Sequence, residues 1–367
     1  MQSKIPLVSV VMPVFNAAKF ISQTLESLLY QTMTDFEVVA VDDCSTDNSI
    51  EVVESFRERF DGRLKLIRLP KNTGTPGLPR NVGIQFARGK YISFLDCDDL
   101  YTKTALEEMS TLAEKFQADV VHANSWFILW GGQKKHEDDP AFTDTNELFN
   151  SAAYTVRQPG ENVPSFKQPT FDSTDIGDRV RRWLNWNYNW ANAVIFLKRD
   201  FLIANQIFFP TFAMAEDMLF TFTCLCKAEK FLRVSNVTYV VRPHVGSISR
   251  ENDRDFDVQA FLHKRLTSIR DGFNAFENFM DAIPLLKENL AYRYAVSDFF
   301  FKHSIRYAWQ LEPIYMQNPA FKLNELVKQE LHSDDAALTA YLFNTVNVYR
   351  LHIMKLQREL VALKNSK

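Results

Sequence analysis

Asp96-Cys97-Asp98-Asp99 puts three carboxylates within four residues, directly after the apolar run Tyr91-Ile92-Ser93-Phe94-Leu95. An isolated buried carboxylate loses its hydration at prohibitive cost. A strand that ends in such a cluster therefore delivers it to a cation, or to water at a cleft. In open α/β sheets the carboxyl edge is where ligands bind. Oxygen-only donors favour Mg2+ or Mn2+, and Mg2+ usually takes one or two carboxylates plus substrate phosphates. The plainer alternative is a solvated turn, since Asp suits turns and helix caps.

Asp42-Asp43 closes an earlier apolar run in the same way, and Glu216-Asp217 opens a later helix-like stretch. Acids facing one another across a crevice repel unless a cation or hydrogen-bond donors lie between them. Asn72-Thr73-Gly74 and Arg80-Asn81-Val82-Gly83 supply a loop and a guanidinium between the first two clusters. Arginine suits phosphate or a planar base, although on a surface helix it is ordinarily just solvated. Asp47, in Ser45-Thr46-Asp47, reads as a helix cap and not as a ligand. For Glu216-Asp217, compensation of a helix dipole is the bland reading.

The elements that must position these groups alternate between strand and helix. Strand-like runs cover 7–14, 36–41, 64–69, 91–95 and 119–123, with helix-like stretches at 17–30, 48–60, 79–87 and 103–116. That rhythm implies a mostly parallel central sheet flanked by helices, with right-handed crossovers. Residues 131–178 break it and read as a long excursion or flap. Strand signals resume at 193–197 and 237–241, and from about Asp257 onward the pattern is helical. Leu342, Val346, Tyr349, Ile353, Leu356, Leu360 and Leu363 form a heptad seam, compatible with packing on the same domain or with a parallel coiled-coil homo-oligomer.

The chain has 367 residues, 46% hydrophobic and 24% charged, enough for a large core and more than one subdomain. Its formal charge of −3 gives no basis for a nucleic-acid partner. No apolar stretch reaches membrane-spanning length, and no signal-peptide core precedes the first strand. Cys44, Cys97, Cys224 and Cys226 lack His or Cys partners at zinc-ligand spacing and read as reduced thiols of a cytoplasmic protein. Basic residues in the tail, Arg350, Lys355, Arg358, Lys364 and Lys367, admit either a solvated helix face or a peripheral contact with an anionic membrane surface. The 31 phenylalanines, many in the second half, must pack a helical core or line a partner surface.

Taken in order, Pro13-Val14-Phe15-Asn16, Asp42-Asp43-Cys44-Ser45-Thr46-Asp47, Asn72-Thr73-Gly74 with Arg80-Asn81-Val82-Gly83, Phe94 to Asp99, and Glu216-Asp217 resemble family 2 glycosyltransferases of the GT-A fold. The resemblance is strong over about residues 5–120, looser to about 250, and covers little beyond. It implies a catalytic domain over 1–255, with a nucleotide-binding half (1–120) and an acceptor half (121–255). A helical region would follow over 256–367, with the heptads at 342–363. By resemblance, Asp43 contacts the nucleotide base beside Pro13, Phe15 and Asn16, and Arg80 approaches the nucleotide. Asp98 is then the ligand of Mn2+ or Mg2+, Asp96 a ribose or metal contact, and Asp217 the catalytic base with Glu216 beside it. His244 falls where relatives carry a basic loop over the diphosphate, as a pyrophosphate or metal contact.

The implied reaction is inverting transfer of one sugar from a nucleoside-diphosphate sugar, UDP foremost. The acceptor would be a hydroxyl of a saccharide or lipid-linked glycan in cell-surface polysaccharide synthesis. Processive members carry Gln-x-x-Arg-Trp after the acid pair. Here Arg182-Trp183 precedes Glu216 and Arg179 stands in the Gln position, which argues against processivity. Trp190 and Trp186, with Trp183 and Tyr188 among asparagines, offer an acceptor platform or, equally, core packing. A glycoside hydrolase and a catalytically silent assembly protein remain the competing classes at this point.

Overall fold

The computed structural model describes residues 5–129, 154–156, 168–210, 216–242 and 276–306. The chain begins with β1 (Val8–Val14), α1 (Ile21–Leu29), β2 (Phe36–Asp42), α2 (Ser49–Ser55), β3 (Leu64–Arg68), α3 (Gly77–Phe86) and β4 (Tyr91–Phe94). Next come β5 (Leu100–Tyr101), α4 (Ala105–Phe116), β6 (Val120–Ala123), β7 (Phe127–Leu129), β8 (Tyr154–Val156) and β9 (Thr170–Phe171). Then follow α5 (Ile176–Leu184), β10 (Ile195–Lys198), α6 (Arg199–Ala204), α7 (Glu216–Lys227), β11 (Phe231–Val234) and β12 (Tyr239–Val241). The last described elements are α8 (Pro284–Glu288) and α9 (Leu290–Arg306).

Eight strands form the central sheet in the order β3-β2-β1-β4-β10-β6-β11-β9. β10 runs antiparallel to both its neighbours, β4 and β6, and β9 runs antiparallel to β11. The other strands are parallel, as expected for β-α-β alternation. Every residue of β1 and β2 is buried, because helices cover both faces and a continuous apolar run satisfies both. Alternate residues serve opposite cores: Val10 and Met12 join one, Val11 and Phe94 the other.

The chain order reverses between β1 and β4, and there the sheet opens. Leu95 N donates to Val11 O at 3.1 Å, and β4 has no further pairing with β1 beyond Phe94. β1 continues on its other side, where Asp43 N donates to Val14 O at 2.8 Å. Pro13 therefore sits where the missing N–H faces a gap and not a strand, which makes proline tolerable in a central strand. A crevice at such a reversal is the usual ligand site of this architecture.

Several sequence-based expectations need correction. The strand at 237–241 is real as β12 but belongs to a second sheet, ordered β5-β12-β7-β8. β11 carries no strong apolar signal because Arg233 interrupts it, yet it is a buried strand of the main sheet. The excursion over 131–178 is stitched to both sheets in its described parts, through β8 on β7 and β9 on β11. The described C-terminal residues are helical, as expected, and Met280, Leu286, Val296, Phe299 and Phe300 join one core with Trp183 and Phe222. The heptads at 342–363 and the basic tail lie outside the described residues, as does His244. Among the described residues no helix is long and apolar enough to cross a membrane.

α3 lies against β1 at close range because residue 83 has no side chain. A Cβ built there would meet Val11 Cγ1 at 2.3 Å, and Val11 is fully buried and β-branched. Gly83→Ala should lower stability by about 1–3 kcal/mol through overpacking, seen as a lower urea midpoint at unchanged slope. A midpoint equal to that of the unsubstituted protein would show that α3 can move away from β1 freely.

Candidate active site

Three acid clusters meet at the carboxyl edge of the sheet. Asp42 is fully buried and accepts from Ser45 N at 3.2 Å. Asp43 accepts from Thr73 N at 2.9 Å and from Thr73 Oγ1 at 2.9 Å, which fixes the loop after β3 against the end of β2. Burial raises its pKa, with Asp42 adding to the rise and the Thr73 donors opposing it. Phe15, just past the end of β1, stays 45% exposed. Asn16 and Cys44 adopt left-handed φ angles of 48° and 63°, so both strands turn sharply where they leave the sheet. Asn16 Oδ1 accepts from Thr46 N at 2.8 Å and its own N donates to Ser45 Oγ at 3.0 Å. Asp47 accepts from Ala18 N and Ser49 N, both at 3.0 Å; the N-cap of α2 is Asn48, so Asp47 holds the loop one residue before the cap expected of it.

In the cluster after β4, Asp99 turns inward. It accepts from Tyr239 Oη at 2.9 Å and from Arg242 N at 2.8 Å, while Asp96 N donates to Tyr239 Oη at 3.2 Å. Burial, then the nearby Asp98 and Asp96, push its pKa well up. Asp96 and Asp98 remain partly exposed at the cleft. Among the described residues no three His, Cys, Asp or Glu side chains converge into a preformed metal cage. Two neighbouring carboxylates open to the cleft nevertheless fit the donor set of a Mg2+ or Mn2+ ion whose shell is completed by phosphate oxygens.

Arg80 joins the second cluster to the third. Its guanidinium donates to Asp96 Oδ1 at 2.8 Å and to Glu216 Oε1 at 3.4 Å, across 136 residues of sequence in the second case. With its amide turned to satisfy both partners, Asn192 Oδ1 accepts from Arg80 Nε and Nη2 at 3.2 Å each. Arg80 is only 4% exposed, against 32% and 13% for the Asp96 and Glu216 side chains. Burial opposes its charge, but Asp96, Glu216 and Asp217 outweigh it and hold the guanidinium protonated more firmly than usual. The arginine expected to approach a nucleotide is thus, in this structure, the donor that keeps facing acids together.

Asn81, the next residue, locks the chain before α7. Its side chain donates to Phe209 O and accepts from Phe209 N, both at 2.7 Å. The Phe209 ring stacks on Phe220 at 3.8 Å between centroids and 4° between planes, and it also lies 5.2 Å under the Arg80 guanidinium. Phe220 is one helical turn beyond Glu216, so this stack orients the start of α7. Asp217 accepts from its neighbour Met218 N at 2.8 Å. Burial and the adjacent Glu216 raise its pKa well above the ordinary carboxylate value, against the pull of Arg80.

The aromatic run does not form one platform. Trp183 and Tyr188 are buried in the core, the rival reading from sequence. Trp186 is 37% exposed but lies against Phe299 at 4.6 Å between centroids. Trp190 is partly buried against the same core, and its carbonyl accepts from Thr221 Oγ1 at 2.9 Å. Sequence reading also missed a buried polar network behind it. Asp172 accepts from Tyr188 Oη at 2.7 Å and Arg182 Nη1 at 2.9 Å, with Arg233 Nη1 at 3.8 Å. His122 lies under the Tyr188 and Phe231 rings, its Nε2 2.6 Å from Asn189 O. Only the unusual charge of Arg233 within a strand signals this network in the sequence.

Residues 9–215, more than half of the chain, match the family model of glycosyl transferase family 2. The chain belongs to this family. A poly(ribitol-phosphate) β-N-acetylglucosaminyltransferase, TarS of Staphylococcus aureus strain Mu50, is 40% identical over 236 residues, 63% of this chain and 34% of its own length. A poly(ribitol-phosphate) β-glucosyltransferase of Bacillus spizizenii is 29% identical over 226 residues, 61% of this chain and 30% of its own. The match thus spans about a third of these longer relatives. A crystal structure of S. aureus TarS 1–349 in complex with UDP shares the fold, with a TM-score of 0.52 and 23% identity over 87% of this chain and 76% of that one. Membership of this transferase family removes the glycoside hydrolase reading.

Two consequences of the site's electrostatics are measurable. Arg80→Met should cost about 2 kcal/mol, below the ~3–5 kcal/mol of a fully buried pair because Asp96 keeps its contact with water. Adding Glu216→Gln should restore part of the loss in a double-mutant cycle, and strict additivity would refute the coupling. Burial, reinforced by Arg233, lowers the pKa of His122 from 6.5 to about 4. The unfolded chain therefore binds the proton first, and stability falls as pH drops from about 6.5 towards 4. At pH 5 this group alone should cost on the order of 2 kcal/mol. His122→Gln, which keeps a donor for Asn189 O, should flatten that part of the urea-midpoint profile; an unchanged slope would overturn the assignment.

Proposed function

We propose that this family 2 chain transfers a single sugar, with inversion, from a UDP-sugar to a hydroxyl of a cell-surface glycan or polyol-phosphate acceptor. The observation that carries the proposal is Arg80, which draws the acids after β4 and the acid pair of α7 to one crevice at the β1–β4 opening. The exposed Phe15 and the fixed Asp43 offer a stacking face and an acceptor for a nucleobase at its far end. The longer relatives, poly(ribitol-phosphate) transferases by name, support UDP-N-acetylglucosamine or UDP-glucose as donor and a polyol-phosphate polymer as acceptor.

A divalent cation held by Asp98, with Asp96 beside it, would neutralise charge gathering on the departing diphosphate. Glu216 is committed to Arg80, so the base is Asp217, whose raised pKa makes its carboxylate a better proton acceptor. The acceptor oxygen bonds to the anomeric carbon as the bond to the diphosphate breaks, and its proton passes to Asp217. With Asp217 as the base and the acceptor oxygen as the nucleophile, the displacement is single and configuration inverts.

The test is thermal stabilisation by UDP, GDP, dTDP and CMP with and without Mn2+, followed by transfer from UDP-N-acetylglucosamine and UDP-glucose to poly(ribitol phosphate). A diphosphate at a hundred times its Kd should add ~2.7 kcal/mol. Asp217→Asn should keep that stabilisation and lose transfer. No response to any nucleotide, or full turnover in Asp217→Asn, would overturn the proposal.

A further inference from the structure

Arg242 lies half-buried just past β12, and all three guanidinium nitrogens are committed. Nε donates to Asp98 O and Nη1 to Gln23 Oε1, while Nη2 donates to Phe20 O at 3.1 Å and Thr24 Oγ1 at 2.9 Å. The guanidinium also lies 5.5 Å from the centre of the Phe20 ring. Its backbone N donates to Asp99 Oδ1. Thr24 Oγ1 in turn donates to Cys97 O at 2.9 Å. Three successive residues of the acidic loop are therefore tied down: Cys97 and Asp98 by their backbone carbonyls, through Thr24 and Arg242, and Asp99 by its inward carboxylate, through Arg242 N and Tyr239. Asp96 N is held as well, by Tyr239 Oη.

We infer that Arg242 is a positioning residue, fixing the backbone of Asp98 on α1 so that its carboxylate is preset for a divalent cation bound together with a nucleoside diphosphate. The inference rests on the reading of Asp98 as the cation ligand. A small, hard ion tolerates little error in ligand placement, and a loop fixed before binding spares the ordering cost at that moment. The planar guanidinium reaches four acceptors in different directions, on α1 and on the loop. A lysine ammonium offers three donors from a single point and cannot span them. Gln23 and Thr24 are the receiving end of the brace on α1.

The experiment measures UDP affinity by calorimetry on the full chain, once with Mn2+ and once with EDTA. Arg242→Lys and Thr24→Val are compared with the unsubstituted protein and with Asp98→Asn, and circular dichroism verifies folding. Arg242→Lys should weaken the Mn2+-dependent gain in affinity roughly tenfold or more, the usual cost of losing a group that orients a metal ligand. Affinity in EDTA, set by the Phe15 and Asp43 end, should stay unchanged. Thr24→Val, which removes one strut and no charge, should lose a smaller part of the gain. A full Mn2+-dependent gain in Arg242→Lys, alongside its loss in Asp98→Asn, would overturn the positioning role and leave the cation site standing. Equal weakening with Mn2+ and with EDTA would reduce Arg242 to a general structural support and likewise overturn it. No Mn2+-dependent gain in the unsubstituted protein would sink the cation site and the inference together.

Discussion

Carboxylates from the loop after β4 and from the start of α7 converge on one sheet edge, and a buried guanidinium keeps them there. Without Arg80, Asp96 and Glu216 would face one another across the β1–β4 opening in a partly dehydrated setting, where like charges interact strongly. The rest of the site is arranged so that this arginine can sit where it does. Gly83 lets α3 approach β1, and Pro13 stands where β1 loses its neighbour. Asn81 and Phe209 then deliver the first turn of α7 to the guanidinium. Arg80 and Asn81, adjacent in sequence, thus serve one purpose by two means: one neutralises the acids and the other fixes the chain that carries two of them.

The described C-terminal helices contribute packing to the central sheet. Phe222, Phe276, Phe279, Phe299 and Phe300 pack with Trp183 over the core face that also holds Phe94 and Phe220. The aromatic surplus of the sequence is therefore, among the described residues, largely a core that joins the C-terminal helices to the central sheet. Trp186, with its left-handed φ of 58° and its ring against Phe299, lies on that seam. A side chain so placed is fixed by its neighbours before any acceptor arrives.

Much of the fold and of the crevice was legible because both are written locally. Apolar runs ending abruptly in acids mark the carboxyl ends of β2 and β4, and alternation with amphipathic helices gives the parallel sheet. What escaped was set by partners distant in sequence. Nothing near Arg242 announces that it will grasp Asp98, more than a hundred residues earlier, and nothing distinguishes Asp99 from Asp98 until Tyr239 arrives. The antiparallel β10 and the Arg233-bearing β11 were missed in direction or existence. A short strand reads alike in either direction, and one buried charge suffices to mask it. The aromatic run around Trp186 was ambiguous for the same reason: a tryptophan suits a core and a sugar equally well.

The division of labour between Glu216 and Asp217 follows from geometry that the sequence pair alone does not contain. Successive residues on a helix point about 100° apart, so both cannot face the same partner. Glu216 faces Arg80, and the buried guanidinium engages its carboxylate. Asp217 receives a backbone donor from Met218 and feels Arg80 only at longer range, while burial and Glu216 raise its proton affinity. One acid is spent on holding the site together and the other is left with heightened basicity beside it. Under the proposed transfer, that asymmetry assigns the proton to Asp217. It also explains why a second acid is useful next to a base: Glu216 both anchors the helix and, by its charge, makes its neighbour more willing to accept a proton.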